Sequence, residues 1–214
     1  IAADQARTQL SLPADQVIDV DVPGLVLPQV IAGTLNDITL SSEDVVVGDF
    51  AGDVVVTAQD VPIRGGGAMG AAHATVTVDE TQLRRLMSTV PDFPADTLGI
   101  AAPNVTMSTE IGILGASLPI EAALTPSAAN GDLILTPASL RLGGADLTAD
   151  GLREQFGRLA DMVLQDWTVC VAQYLPAGAT LADVTVEGEQ LVAAFDVDGS
   201  IAVDPALQQN GTCS

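Results

Sequence analysis

Few residue patterns in this 214-residue chain could do chemistry, and each has a competing structural explanation. Gly65-x-Gly67-x-x-Gly70 has the spacing of a dinucleotide-binding loop. Such a loop must open a helix whose N-terminus receives the pyrophosphate, whereas residues Ala71 to Val78 (A-A-H-A-T-V-T-V) alternate like a strand. A mobile glycine hairpin between two strands explains the glycines better. His73 is the single histidine, so any Ser-His-Asp or histidine-based metal site must use it, and no G-x-S-x-G elbow supplies an activated serine. A structural or edge histidine is the expectation. Asp196-x-Asp198-Gly199 matches part of a calcium loop but lacks the downstream glutamate ligand, and a hairpin turn accounts for the same residues.

Cys170 and Cys213 show neither C-x-x-C spacing nor a neighbouring histidine, which sets metal binding aside. One disulfide tying down the C-terminus is the natural reading, and two buried free thiols are the alternative. The bridge would place the protein in an oxidising compartment. The sequons at Asn104 and Asn210 matter only in a glycosylating host. None of these patterns supports an enzyme, a metal or a catalytic residue.

Composition excludes further classes. Acidic residues number 28 against seven basic ones, all of them arginine, for a formal charge of -21. Nucleic acid needs clustered cations and is excluded as a partner, and so is a polybasic attachment to anionic lipid. Self-repulsion instead keeps an unusually apolar chain dispersed. It is 48% hydrophobic with a mean hydropathy of +0.39, yet no run nears the roughly 18 apolar residues of a membrane span. The surplus apolar residues must fill a core or also line a cavity. Residue 1 is Ile, and Ile1 to Leu12 reads as the tail of an amphipathic helix, so an N-terminal signal or anchor segment is expected upstream.

The elements that would position a site follow from periodicity. Ile38 to Val47, Asp53 to Ile63, Ala72 to Val78, Val105 to Ile113, Ser117 to Leu124 and Asp132 to Leu142 read as strands, and Leu181 to Glu187 with Gln190 to Val197 as a hairpin. A helix capped by Asp79, with Gln82 completing a capping box, carries Leu83, Leu86, Met87 and Val90 at i, i+3, i+4, i+7. A second helix is expected from Asp150 to about Trp167, striped by Leu152, Phe156, Leu159 and Val163. A short third one runs from about Pro28 to Gly33. No repeat or linker divides the chain, so one α+β domain over residues 1–214 is expected.

Taken in order, residues 20–40 (V-D-V-P-G-L-V-L-P-Q-V-I-A-G-T-L-N-D-I-T-L), 53–63 (D-V-V-V-T-A-Q-D-V-P-I), 72–83 (A-H-A-T-V-T-V-D-E-T-Q-L) and 186–199 (V-E-G-E-Q-L-V-A-A-F-D-V-D-G) resemble the actinobacterial LmeA family of phospholipid-binding cell-envelope proteins. The resemblance implies a tubular lipid-binding (TULIP-like) fold: a strongly curved antiparallel sheet wrapped around a long helix, with an elongated apolar groove. It also favours the disulfide and an exported protein of the cell envelope, periplasm or exterior.

Under this resemblance the lipid-contacting candidates are Leu27, Val30, Ile31 and Leu35; Leu83, Leu86, Met87 and Val90; and Phe156, Leu159, Met162 and Val163. Met87 and Met162 carry flexible thioethers suited to variable acyl chains. Arg64 or Arg141 at a groove mouth would meet the phosphate. The same side chains could equally pack as core. Acyl burial gains roughly 0.8 kcal/mol per CH₂, so weak headgroup selectivity is expected. With 3% aromatics there is little to stack on sugars. The expected protein is a non-enzymatic monomer that carries phospholipid or a related acyl lipid, touches membranes transiently and needs no cofactor besides bound lipid. The competing expectation is a structural or interaction module of the cell surface with a solid core.

Overall fold

The computed structural model describes residues 16–47, 50–91, 93–113, 116–142, 145–158 and 164–213. Twelve strands among them form two six-stranded, largely antiparallel sheets. The first sheet has the order β1 (Asp19–Asp21), β2 (Thr34–Val47), β3 (Phe50–Pro62), β4 (Ala72–Val78), β12 (Gln190–Val197), β11 (Ala179–Glu187). In the second, β10 (Trp167–Val169), β8 (Asp132–Leu142), β7 (Ala116–Ala129), β6 (Asn104–Ile113) and β5 (Gly99–Ala101) follow one another, and β9 (Ala145–Thr148) also pairs with β8. Among the described residues there are also three short α-helices, α1 (Val26–Ala32), α2 (Glu80–Met87) and α3 (Ala149–Phe156), and three 3-10 turns, Ala95–Thr97, Ala172–Tyr174 and Gly199–Ala202. None of them is long and apolar enough to cross a membrane.

This architecture corrects the expectation of a strongly curved sheet wrapped around a long helix with an elongated groove. Neither sheet is strongly curled, and no helix among the described residues exceeds the eight residues of α2 and α3. The expected helix from Asp150 to about Trp167 stops at Phe156. Gly157 adopts φ 52°, where glycine carries no Cβ penalty, and its amide closes back on Arg153 O at 2.9 Å. Trp167 instead opens β10, opposite Leu135 of β8. Leu159, Met162 and Val163 lie outside the described residues.

The chain divides into two compact units. One comprises Ile1–Val78, Cys170–Asp183 and Ala193–Ser214. Its core gathers Leu35, Ile38, Ala58 and Ala72, against which Val22, Leu40, Val61, Met69 and Val197 pack. Gly52 is required where β3 meets β4, because a Cβ there would stand 2.9 Å from Thr77 O. The glycine loop joins β3 to β4 and is fastened at its far end. Met69 N donates to Gly199 O at 3.1 Å, and Gly70 N to Gln59 O at 2.8 Å. The bond between Cys170 and Cys213 forms as the resemblance implied.

The other unit comprises Asp79–Val169 and Val184–Val192. It holds the most completely buried large side chains of the described residues, Leu83, Met87, Leu98, Val105, Leu124 and Leu135. Along β7, Ala122, Leu124 and Pro126 are buried and Glu121, Thr125 and Ser127 exposed, the alternation of a sheet with one wet face. Asn130 and Gly131, both at positive φ, turn β7 into β8 as an Asn-Gly hairpin does. The capping box at α2 forms in full: Asp79 accepts from Gln82 N at 2.7 Å, and Gln82 Oε1 from Asp79 N at 2.8 Å. Arg84 pins the same helix by donating to Leu98 O and pairing with Glu80. Phe93 meets Trp167 edge to face at 5.2 Å.

The bridge closes over 43 positions of sequence, enough to remove about 4 kcal/mol of unfolded-chain entropy. Replacing both cysteines by serine is expected to lower the urea midpoint accordingly, and reducing the native protein should reproduce the shift.

Candidate functional site

α1 is built inside out. Its one polar side chain, Gln29, is buried at 8% exposure, while Leu25 at its start is 78% exposed, Leu27 71% and Ile31 69%. Gln29 is held by three hydrogen bonds: its Nε2 donates to Pro23 O at 3.1 Å and Leu25 O at 3.3 Å, and its Oε1 accepts from Asn36 N at 2.9 Å. Those bonds tie two carbonyls of the chain entering the helix to an amide of the strand leaving it, while Leu25 offers no side-chain cap to the first turn. Fixing Gln29 inward turns Val26, Leu27, Val30 and Ile31 toward the outside.

The end of α1 is equally determined. Gly33 takes the left-handed conformation at φ 85° and returns its amide to Gln29 O at 2.9 Å. Ile63 N donates to Gly33 O at 3.0 Å, which joins the end of β3 to the helix and adds exposed Ile63 to the apolar surface. The stem of Arg64 covers Gly33, where a Cβ would stand 3.5 Å from its Cβ and Cδ. Its Nη1 reaches Ile31 O at 3.4 Å, so a cation stands at the negative end of the helix.

The sequence-based candidates thus have different environments. Leu27, Val30 and Ile31 are exposed together on α1, whereas Leu35 belongs to the core of its unit. Leu83, Leu86 and Met87 are buried on α2, and Val90 lies beyond the end of that helix, half-buried. Phe156 ends α3, but its side chain is not among those described, and Leu159, Met162 and Val163 fall outside the described residues. Sequence reading passed over Leu25, Val26 and Ile63 as lipid candidates and gave Gln29 no role. The available signal was a lone glutamine in an otherwise apolar helix.

Of the two arginines considered for a phosphate, Arg141 is engaged. Its Nε donates to Asp146 Oδ1 at 2.7 Å, and its Nη1 lies 3.4 Å from Glu121 Oε2. The bond and charge of Arg141 hold the Asp146 carboxyl below the usual carboxylate range, and Asp146 in turn raises the guanidinium. Arg64 forms no ion pair among the described residues, leaving its charge available. His73 pairs with Asp196 at 3.1 Å, both exposed, and Asp198 accepts from Ser200 N to fix a turn.

A family profile described as LmeA-like phospholipid-binding matches residues 1–196. No curated protein and no solved structure matches the chain.

Gln29→Ala should cost about 2 kcal/mol by leaving Asn36 N and two carbonyls without their partner. Hydrogen exchange is expected to accelerate at Asn36 and Gly33 and to stay unchanged in α2. The ion pair gives a second expectation. A depressed carboxyl favours folding above the ordinary carboxylate range, and that contribution fades as pH falls through its own lower pKa. In Arg141→Ala, an NMR titration should therefore find the Asp146 midpoint moved up toward the ordinary value.

Proposed function

This chain belongs to the LmeA-like phospholipid-binding family, and on that premise we propose that it binds phospholipid through acyl-chain contacts with α1 and carries it within the cell envelope. Phospholipid is the partner the family implies, and the family is one of lipid binding rather than of catalysis. The observation that carries the assignment to α1 is its inverted polarity: a buried, fully hydrogen-bonded Gln29 beneath exposed Leu25, Leu27 and Ile31. A helix that only packed on its own sheet would face the other way.

The energetics favour such a contact. Moving one leucine or isoleucine side chain from water into an apolar surround gains about 1.5–3 kcal/mol, so three suffice for appreciable affinity without a precise polar match. Arg64, beside the helix end, supplies one donor group for a phosphate oxygen. The glycerol and headgroup meet few further donors there, which fits a carrier selecting for chains over headgroups. Export is proposed on the disulfide, since such bonds persist in oxidising compartments. Transfer is proposed because an acyl contact on an exposed surface can exchange its lipid without opening a closed core.

Native mass spectrometry of freshly purified protein, with organic extraction, tests the proposal. Adducts of phospholipid mass are expected on the wild type and should be lost in the double variant Leu27→Asp, Ile31→Asp, whose replaced side chains are exposed and not needed for the core. A wild type that neither retains nor takes up phospholipid would refute the reading. Adducts that persist on the variant would remove α1 from it.

A further inference from the structure

The charge distribution around α1 is as unusual as its polarity. The chain carries 28 carboxylates, yet none occurs from Val22 to Asn36 or from Val61 to Val78, the segments that supply α1, Ile63 and the glycine loop. Within those limits the only permanent charge is the cation of Arg64, and Asp37 and Asp60 stand just outside them. The Asp60 carboxyl lies against Gly70 at the end of the loop, so the match is confined to α1 and Ile63: a surface of Leu25, Leu27, Ile31 and Ile63 with one guanidinium at its margin suits a bilayer interface, where hydrocarbon lies under a layer of phosphate. A second copy of the chain is a poorer match, because it would bring a charge of -21 against -21.

We infer that α1 is the element by which this protein docks on a phospholipid bilayer, inserting its aliphatic side chains with Arg64 left at the phosphate level. Docking on anionic bilayers works against the charge of the rest of the chain, so it strengthens as salt is added. The inference rests on the lipid-binding reading above and adds to it where lipid is met and what opposes the meeting. Proteins that reach anionic lipid through basic patches show the opposite sign, since salt screens their attraction. Here salt screens repulsion and leaves the apolar contact intact. The range of the effect is set by the Debye length, about 30 Å at 0.01 M and about 10 Å at 0.1 M. Over that interval distant carboxylates fall silent while Arg64, in contact with phosphate, does not.

The experiment is flotation of the full chain with vesicles of phosphatidylcholine alone, or of phosphatidylcholine and phosphatidylglycerol in equal parts, at both salt concentrations. On the anionic vesicles the bound fraction is expected to rise roughly fivefold or more from about 0.01 M to about 0.1 M sodium chloride, and on the neutral ones to stay level. Leu27→Asp with Ile31→Asp should abolish flotation on both, and Arg64→Glu should weaken it chiefly on the anionic vesicles. Binding that falls with salt, or that survives the double variant, overturns the inference. So does a dimer, detected by sedimentation, that dissociates in the double variant while the wild type ignores vesicles. Uptake of monomeric dihexanoyl phosphatidylglycerol, followed by native mass spectrometry, separates the two claims. Uptake without flotation rejects docking and leaves lipid binding standing, whereas the absence of both rejects each.

Discussion

The amide of Gln29 is the constraint from which the exposed apolar surface of α1 follows. A primary amide removed from water must be fully bonded, and here Pro23 O, Leu25 O and Asn36 N satisfy it from both sides of α1. Those partners lie on the chain entering the helix and on the strand leaving it, so one side chain fixes entry, rotation and exit together. With rotation fixed, the aliphatic side chains have no freedom to turn inward. Their exposure is a consequence of where the polar group went, and the structure holds it in place despite the cost of wetting them.

The two units dispose of their apolar residues differently. In the unit around α2 the helix stripe is core, as stripes at that spacing ordinarily are, and Arg84 and the capping box leave its position no latitude. In the unit around α1 the core takes in Leu35, Ile38, Leu181 and Phe195, while Leu25, Leu27 and Ile31, of similar size, are left on the outside. The high mean hydropathy therefore reflects a packed interior in one place and a presented surface in another. The acidic excess works alongside this arrangement, since like charge of this size opposes the approach of two copies.

Much of the secondary structure was legible because alternation reports directly on a sheet with two unlike faces. Ala72–Val78 and Asp132–Leu142 begin and end where the pattern says, and the Asp79–Gln82 capping box is written in residue types. Curvature was not legible, because alternation assigns faces and says nothing about how far a sheet coils. The long helix failed at Gly157, where counting apolar spacing across the glycine ignored the residue able to end it. The direction α1 faces could not be read from periodicity either: a helix apolar on nearly every side has no stripe, and only the hydrogen bonds of its single amide say which side is in.

The bridge between Cys170 and Cys213 has a topological consequence. It closes a covalent ring around β11, β12 and the tip between them, Gly188 and Glu189, which is exposed. Cutting the backbone at that tip would open the ring without releasing either arm, since each stays tethered through a cysteine. The hairpin tip is thus a place where the chain tolerates interruption: a tag, a label or a new pair of termini can be introduced there while both strands remain attached to the molecule.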